Sequence, residues 1–122
     1  ELINLINNKF SNKIKIIVAP GPMEFDDAKK IDAICVLNNK NALDISQLSS
    51  LIKDSSYVIA NDTGPAHMAA HLNSTGITLF GHHTSAKKVS IERENFKSIQ
   101  VEDLNKLSAN KVFEKIIQNI DL

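Results

Sequence analysis

The sequence predicts an α/β domain in which a parallel sheet lies between helical layers, and three observations carry that expectation. Short runs rich in Ile and Val alternate with segments whose apolar residues recur at helical spacing. The runs are continuously apolar, the pattern of strands covered on both faces. Their order along the chain is β-α-β-α-β-α-β.

The elements follow in turn. Residues 14–19 (IKIIVA) read as the first strand, 24–31 (EFDDAKKI) as a short helix and 33–38 (AICVLN) as the second strand. Asp44 can cap a helix that places Ile45, Leu48, Leu51 and Ile52 on one face, and 57–61 (YVIAN) is the third strand. Gly64-Pro65 opens another helix, 76–81 (GITLFG) is the fourth strand and 97–101 (KSIQV) the fifth. The last helix, capped by Ser108, turns Val112, Phe113, Ile116, Ile117 and Ile120 toward the core. Residues 81–96 are the one long irregular stretch.

Composition narrows the function classes. The chain has 122 residues, 43% of them hydrophobic, which suits one domain burying roughly two thirds of its unfolded surface. Fourteen basic residues balance fourteen acidic ones, so neither a nucleic-acid footprint nor a polybasic membrane patch is indicated. Cys35, the single cysteine, lies in an apolar run and reads as a buried, inert thiol. No stretch approaches the roughly 20 apolar residues that span a bilayer, and the N-terminus has no signal-peptide pattern.

The densest chemistry is in residues 61–71, NDTGPAHMAAH. Asp62-Thr63-Gly64 alone matches the triplet of aspartic proteases, which a chain this short could use only as a dimer sharing one proton between two carboxylates. The context argues otherwise. Pro65 follows at once and suits the first helical position, so the segment reads as strand, tight turn, helix. In a parallel α/β domain that turn lies at the carboxyl edge of the sheet, with the free N–H groups of Ala66 and His67 directed outward at the positive end of the helix dipole. Phosphate suits such a place. Gly64 would let it approach closely and the Thr63 hydroxyl could donate to it. Asp62 would repel the same phosphate, so it should face sugar hydroxyls or brace the turn.

The run DTGPAHMAAHL followed by GITLFG resembles the signature of glycosyltransferase family 9, the ADP-heptose:lipopolysaccharide heptosyltransferases, and IIVAPGPMEFDDAKKI resembles a strand of that family's C-terminal domain ending in Gly-Pro-x-Glu. The similarity implies a GT-B enzyme of two Rossmann-like domains, acceptor on the N-terminal one and nucleotide sugar on the other. Residues 1–122 then correspond to a single nucleotide-sugar-binding domain, the C-terminal one, beginning at its first helix (ELINLINNKF), with the opening strand and the acceptor domain absent. The proposed catalytic base and a phosphate-binding lysine would lie in the absent part, which leaves this stretch no catalytic residue and no transferase activity alone.

Carried over by resemblance, Asp62, Thr63, Gly64, Pro65 and His67 form the turn that contacts the donor's sugar and diphosphate. Glu24 would accept hydrogen bonds from the ribose hydroxyls, and Leu43 would lie against adenine. Inverting transfer of this kind needs no metal or cofactor. The implied partners are ADP-heptose or a similar nucleotide sugar and a lipopolysaccharide-type acceptor, met in the cytoplasm at the inner face of the bacterial inner membrane. The sequence departs from the pattern at HHTSAKKVSIEREN (82–95), where Thr84 and Lys87 or Lys88 could reach phosphate, and at NSTG (73–76).

Plainer readings stand beside these. Asp62 can simply cap the helix, Glu24 can be a helix-start acid favoured by the dipole, and Lys87 and Lys88 a solvated face. His67 and His71 have the spacing of a His-Glu-x-x-His zinc site, yet Met68 stands where the glutamate is required, and His71 reads as a partly buried helix residue. His82 and His83 read as loop histidines. Two other functions remain open at this level: an α/β binding or assembly module without a nucleotide, and a dimeric hydrolase using Asp62.

Overall fold

The structure, a computed structural model, describes residues 1–11, 13–61, 63–81 and 92–120. Residues 1–48 and 49–122 form two compact units, the division falling inside the third helix.

The first unit contains α1 (Leu2–Phe10), β1 (Ile17–Val18), α2 (Phe25–Lys29) and β2 (Ile34–Cys35). β1 and β2 pair in parallel, Ile17 opposite Ile34 and Val18 opposite Cys35. Both strands are shorter than the apolar runs that encode them. Pro20, which is buried, has no N–H to offer a ladder, so pairing stops just before it. Cys35 is exposed, against the expectation of a buried thiol. Neither residue of β2 is covered and Ile34 keeps 49% of its surface, so the continuous apolar run does not mark a doubly covered strand here.

After β2 the chain makes a tight turn in which Asn38 and Asn41 exchange both backbone hydrogen bonds, at 2.8 and 2.9 Å. Asn39 (φ 49°) and Lys40 (φ 74°) are both left-handed, as a two-residue type I′ turn requires. Helix α3 (Ile45–Asp54) then starts at a reciprocal capping box. The Gln47 N–H donates to Asp44 Oδ1 (2.8 Å) and the Asp44 N–H to Gln47 Oε1 (3.0 Å). Ile52 is buried and Leu48 and Leu51 are half-buried, but Ile45 stays 78% exposed. As the first helical residue it precedes the turns that pack.

The second unit holds β3 (Val58–Asn61), α4 (Gly64–His71), β4 (Gly76–Phe80), β5 (Phe96–Gln100), a 3₁₀ turn (Leu104–Lys106) and α5 (Ala109–Asn119). Its three strands are all parallel in the order β3-β4-β5, so the parallel pairing expected from the sequence is present, divided between two hydrogen-bonded sheets. β4 is paired on both sides and is the one strand with the doubly buried pattern; Ile77, Thr78 and Phe80 have no exposed surface. Helix α4 lies against β3 through the small residues Ala66, Ala69 and Ala70. It closes with Asn73 in the left-handed region (φ 58°), where the Asn73 N–H donates to the Ala70 carbonyl and the Ser74 N–H to that of Ala69. Helix α5 begins at Ser108, whose hydroxyl accepts from the Lys111 N–H at 3.2 Å, and presses Val112 and Ile116 inward.

Gly76 sets the closeness of this sheet. A Cβ there would collide with the Val58 carbonyl oxygen and lie 2.7 Å from Cε1 of the buried Phe96 ring. Neither neighbour can yield, one being backbone and the other a packed aromatic. Gly76→Ala should therefore lower unfolding free energy by about 2–4 kcal/mol in urea titration, although alanine is ordinarily the better strand residue.

Tyr57 enters β3 with its phenol half-buried, and burial raises its pKa from 10.0 to about 12, against a smaller opposing pull from Asn119. The Tyr57 hydroxyl has no hydrogen-bond partner among the described residues. Because the folded state resists ionisation, the neutral phenol's contribution is constant below pH 10 and is lost as pH rises from 10 to about 12. Screened by solvent, that loss should be about 1–2 kcal/mol, and Tyr57→Phe should remove it from the alkaline arm of a stability-against-pH curve.

Candidate functional site

The second unit builds its candidate site where β3 passes into α4. Thr63 is the N-cap, extended at φ −145° and ψ 176°, Gly64 is the first helical residue and Pro65 the second. The Ala66 and His67 N–H groups are not free, as the sequence suggested: both donate to the Thr63 carbonyl, at 3.1 and 3.3 Å. With no amide hydrogen on Pro65, the donor of the first turn left without a partner among the described residues is the Gly64 N–H. The Thr63 hydroxyl does not cap; it donates to the Asn61 carbonyl at 3.3 Å and is exposed.

Gly64 itself is exposed, its φ is not positive, and a Cβ added to it would meet nothing within 4 Å. Among the described residues neither backbone conformation nor packing accounts for a glycine there. The missing side chain leaves open space beside an unpaired N–H at the positive end of an eight-residue helix. The side chain of His67 is half-buried on the same first turn, whereas His71 is exposed rather than partly buried. Among the described residues no three His, Cys, Asp or Glu side chains gather into a metal-binding group. Asp62, His82, His83, Thr84, Lys87 and Lys88 lie outside the described residues.

Glu24 and Leu43 belong to the first unit, in the segments that follow the carboxyl ends of the adjacent parallel strands β1 and β2. Glu24 is the N-cap of α2, yet its side chain does not cap the helix. It turns back to accept the Gly21 N–H on Oε1 at 2.9 Å, while its own N–H donates to the Gly21 carbonyl at 3.1 Å. Pro22 and Met23 occupy the corners of this turn, the proline in the position that its fixed φ favours. Leu43 is half-buried between the 38–41 turn and the Asp44–Gln47 box. Sequence reasoning found the Asp44 cap but missed its Gln47 partner and the 38–41 turn, although Asp-x-x-Gln before a helix and Asn-Asn-Lys-Asn after a strand are their signals.

The geometry thus defines an α/β protein of parallel strands with polar turns beyond the strands' carboxyl ends, the place where parallel α/β sheets bind ligands such as nucleotides. The family model for glycosyltransferase family 9 (heptosyltransferase) matches residues 12–117, and the chain belongs to that family. Among solved structures it is similar to the E. coli heptosyltransferase WaaC, solved with ADP, at a TM-score of 0.82 and 26% identity. The match covers 97% of this chain and 37% of WaaC, so the chain spans little more than a third of that protein's length. No match was found among curated protein sequences. Among the described residues no helix is long and apolar enough to cross a membrane.

The 38–41 turn makes a prediction of its own. Lys40 is held left-handed at a corner where glycine is the favoured residue, a conformation that costs an L-residue about 1–2 kcal/mol. Lys40→Gly relieves this and gives back part of the gain as unfolded-chain entropy, so a net rise of about 0.5–1 kcal/mol is expected in chemical denaturation. Lys40→Val should move the midpoint the other way.

Proposed function

We propose that the chain is the donor-binding domain of a heptosyltransferase-like enzyme, the C-terminal half of a GT-B fold, which holds ADP-heptose or a related nucleotide sugar. Gly64 carries the reading. Among the described residues it is a glycine with no conformational or packing reason, beside an N–H without a partner and an open space at a helix N-terminus. Membership of the family and likeness to a structure that contains ADP support a nucleotide sugar as the ligand.

In this reading the Gly64 N–H and the His67 imidazole receive the diphosphate, joined by the Thr63 hydroxyl once it turns from the Asn61 carbonyl, with Pro65 fixing the turn. Asp62, being an anion, meets sugar hydroxyls. Glu24 takes the ribose hydroxyls and Leu43 lies against the base. In the whole enzyme the acceptor hydroxyl attacks the anomeric carbon as the bond from that carbon to the diphosphate oxygen breaks. The electron pair leaves on ADP, the hydroxyl proton passes to a base supplied by another part of the protein, and the configuration inverts. Donors fixed at the diphosphate stabilise the charge that develops there. The acceptor proposed is the lipopolysaccharide core, reached at the cytoplasmic face of the inner membrane.

Calorimetric titration of the chain with ADP, UDP and ADP-heptose tests this. ADP and ADP-heptose should bind, and Asp62→Ala should weaken ADP-heptose at least about tenfold, some 1.4 kcal/mol. Gly64→Val should fill the open space and abolish binding with little change in thermal stability. Failure of all three nucleotides to bind, or a Gly64→Val variant that binds as the parent does, would sink the proposal and favour a binding module with no nucleotide ligand.

A further inference from the structure

We propose that Gly21 is the positioning residue of a preformed diol clamp, holding the Glu24 carboxylate in the orientation that receives two vicinal hydroxyls. The inference rests on the nucleotide-binding reading above. It identifies the group that makes that site select a ribonucleotide over a deoxyribonucleotide.

Gly21 and Glu24 are tied twice, by the backbone bond from the Glu24 N–H to the Gly21 carbonyl (3.1 Å) and by the bond from the Gly21 N–H to Glu24 Oε1 (2.9 Å). The second bond removes rotational freedom that an exposed glutamate otherwise keeps and would have to give up on binding. It occupies one lone pair of Oε1. Oε2 has no partner among the described residues, so the carboxylate still offers both oxygens to a pair of neighbouring hydroxyls.

The glycine is what makes the arrangement possible. Its φ is not positive, so an alanine could adopt the backbone. A Cβ at residue 21 would nevertheless stand 2.8 Å from Glu24 Oε1 and 3.7 Å from its carboxyl carbon, and would touch nothing else. The clash is with the far end of a flexible, exposed side chain. Alanine would thus displace the carboxylate while leaving the turn, and the fold, intact.

The test titrates the chain with ADP, 2′-deoxy-ADP and 3′-deoxy-ADP, for the parent, Gly21→Ala and Glu24→Gln, with thermal unfolding alongside. The parent should prefer ADP by about tenfold or more over either deoxy compound. Both variants should bring that preference close to one by weakening ADP most, and should melt within about 2 °C of the parent. If the parent binds no nucleotide, the functional reading itself fails and the clamp with it. If the parent discriminates and Gly21→Ala discriminates equally, the clamp alone is overturned and the nucleotide site stands. A parent that binds ADP and its deoxy forms alike, or a Gly21→Ala chain that does not fold, also overturns it.

Discussion

The second unit depends on how closely β4 can lie between its neighbours. Gly76 begins that strand with the Val58 carbonyl on one side and the Phe96 ring on the other, and a single added methyl group fits neither. Because Gly76 is opposite both Val58 and Phe96, it also fixes the register of all three strands at their amino ends. Parallel pairing then carries that register forward, so that Asn61 lies opposite Leu79 and β3 ends where α4 must begin. A slip by one residue would turn Ile77, fully buried, to the opposite face. The position of the Thr63–Gly64 turn is thus a consequence of packing at the other end of the strands.

Helix α4 converts that position into chemistry through what it lacks. Its inward residues, Ala66, Ala69 and Ala70, are small enough for the helix to lie low against the sheet. Large side chains would lift it and draw its first turn away from the end of β3. Thr63 contributes its carbonyl to two amides and directs its hydroxyl back to Asn61, so the turn is braced from within. What remains is one N–H and an uncovered face at Gly64. The dipole of a short helix is modest, about 0.3–1 kcal/mol for an exposed charge, so the turn acts chiefly by geometry and hydrogen bonding.

Local signals were legible because local chemistry decides them. Asp44 and Ser108 cap the helices that the sequence assigned to them, and the Gly64-Pro65 step opens α4 after a strand, which disposes of the protease reading of Asp-Thr-Gly. Coverage was not legible. Ile45 and Cys35 belong to apolar patterns that look alike whether a neighbour covers them or not, and a sequence does not say where the neighbour is. The sequence reading of free Ala66 and His67 N–H groups fails for a different reason: with Thr63 as N-cap, His67 is the fourth helical residue and its N–H makes the ordinary first bond of the helix to the Thr63 carbonyl, which accepts the Ala66 N–H as well. Thr63, Gly64, Pro65 and His67 come together on one turn of the second unit, and Glu24 and Leu43 sit on loops of the first.

The use of glycine points to where ligand contact is expected. The chain has four glycines and none has a positive φ, while Ser11, Asn39, Lys40 and Asn73 take left-handed conformations with side chains attached. Where a turn requires glycine's backbone freedom, the chain uses another residue and tolerates the strain. At two of its glycines the reason is instead proximity. At Gly76 the close neighbour is a ring and a carbonyl, at Gly21 a carboxylate, and at Gly81 the ordinary contact of Leu104 at 3.8 Å. Gly64 has no neighbour among the described residues to make room for. If glycine here signifies something close by, then at residue 64 that something is not one of the described residues, and a bound ligand is the reading that the proposed function gives it.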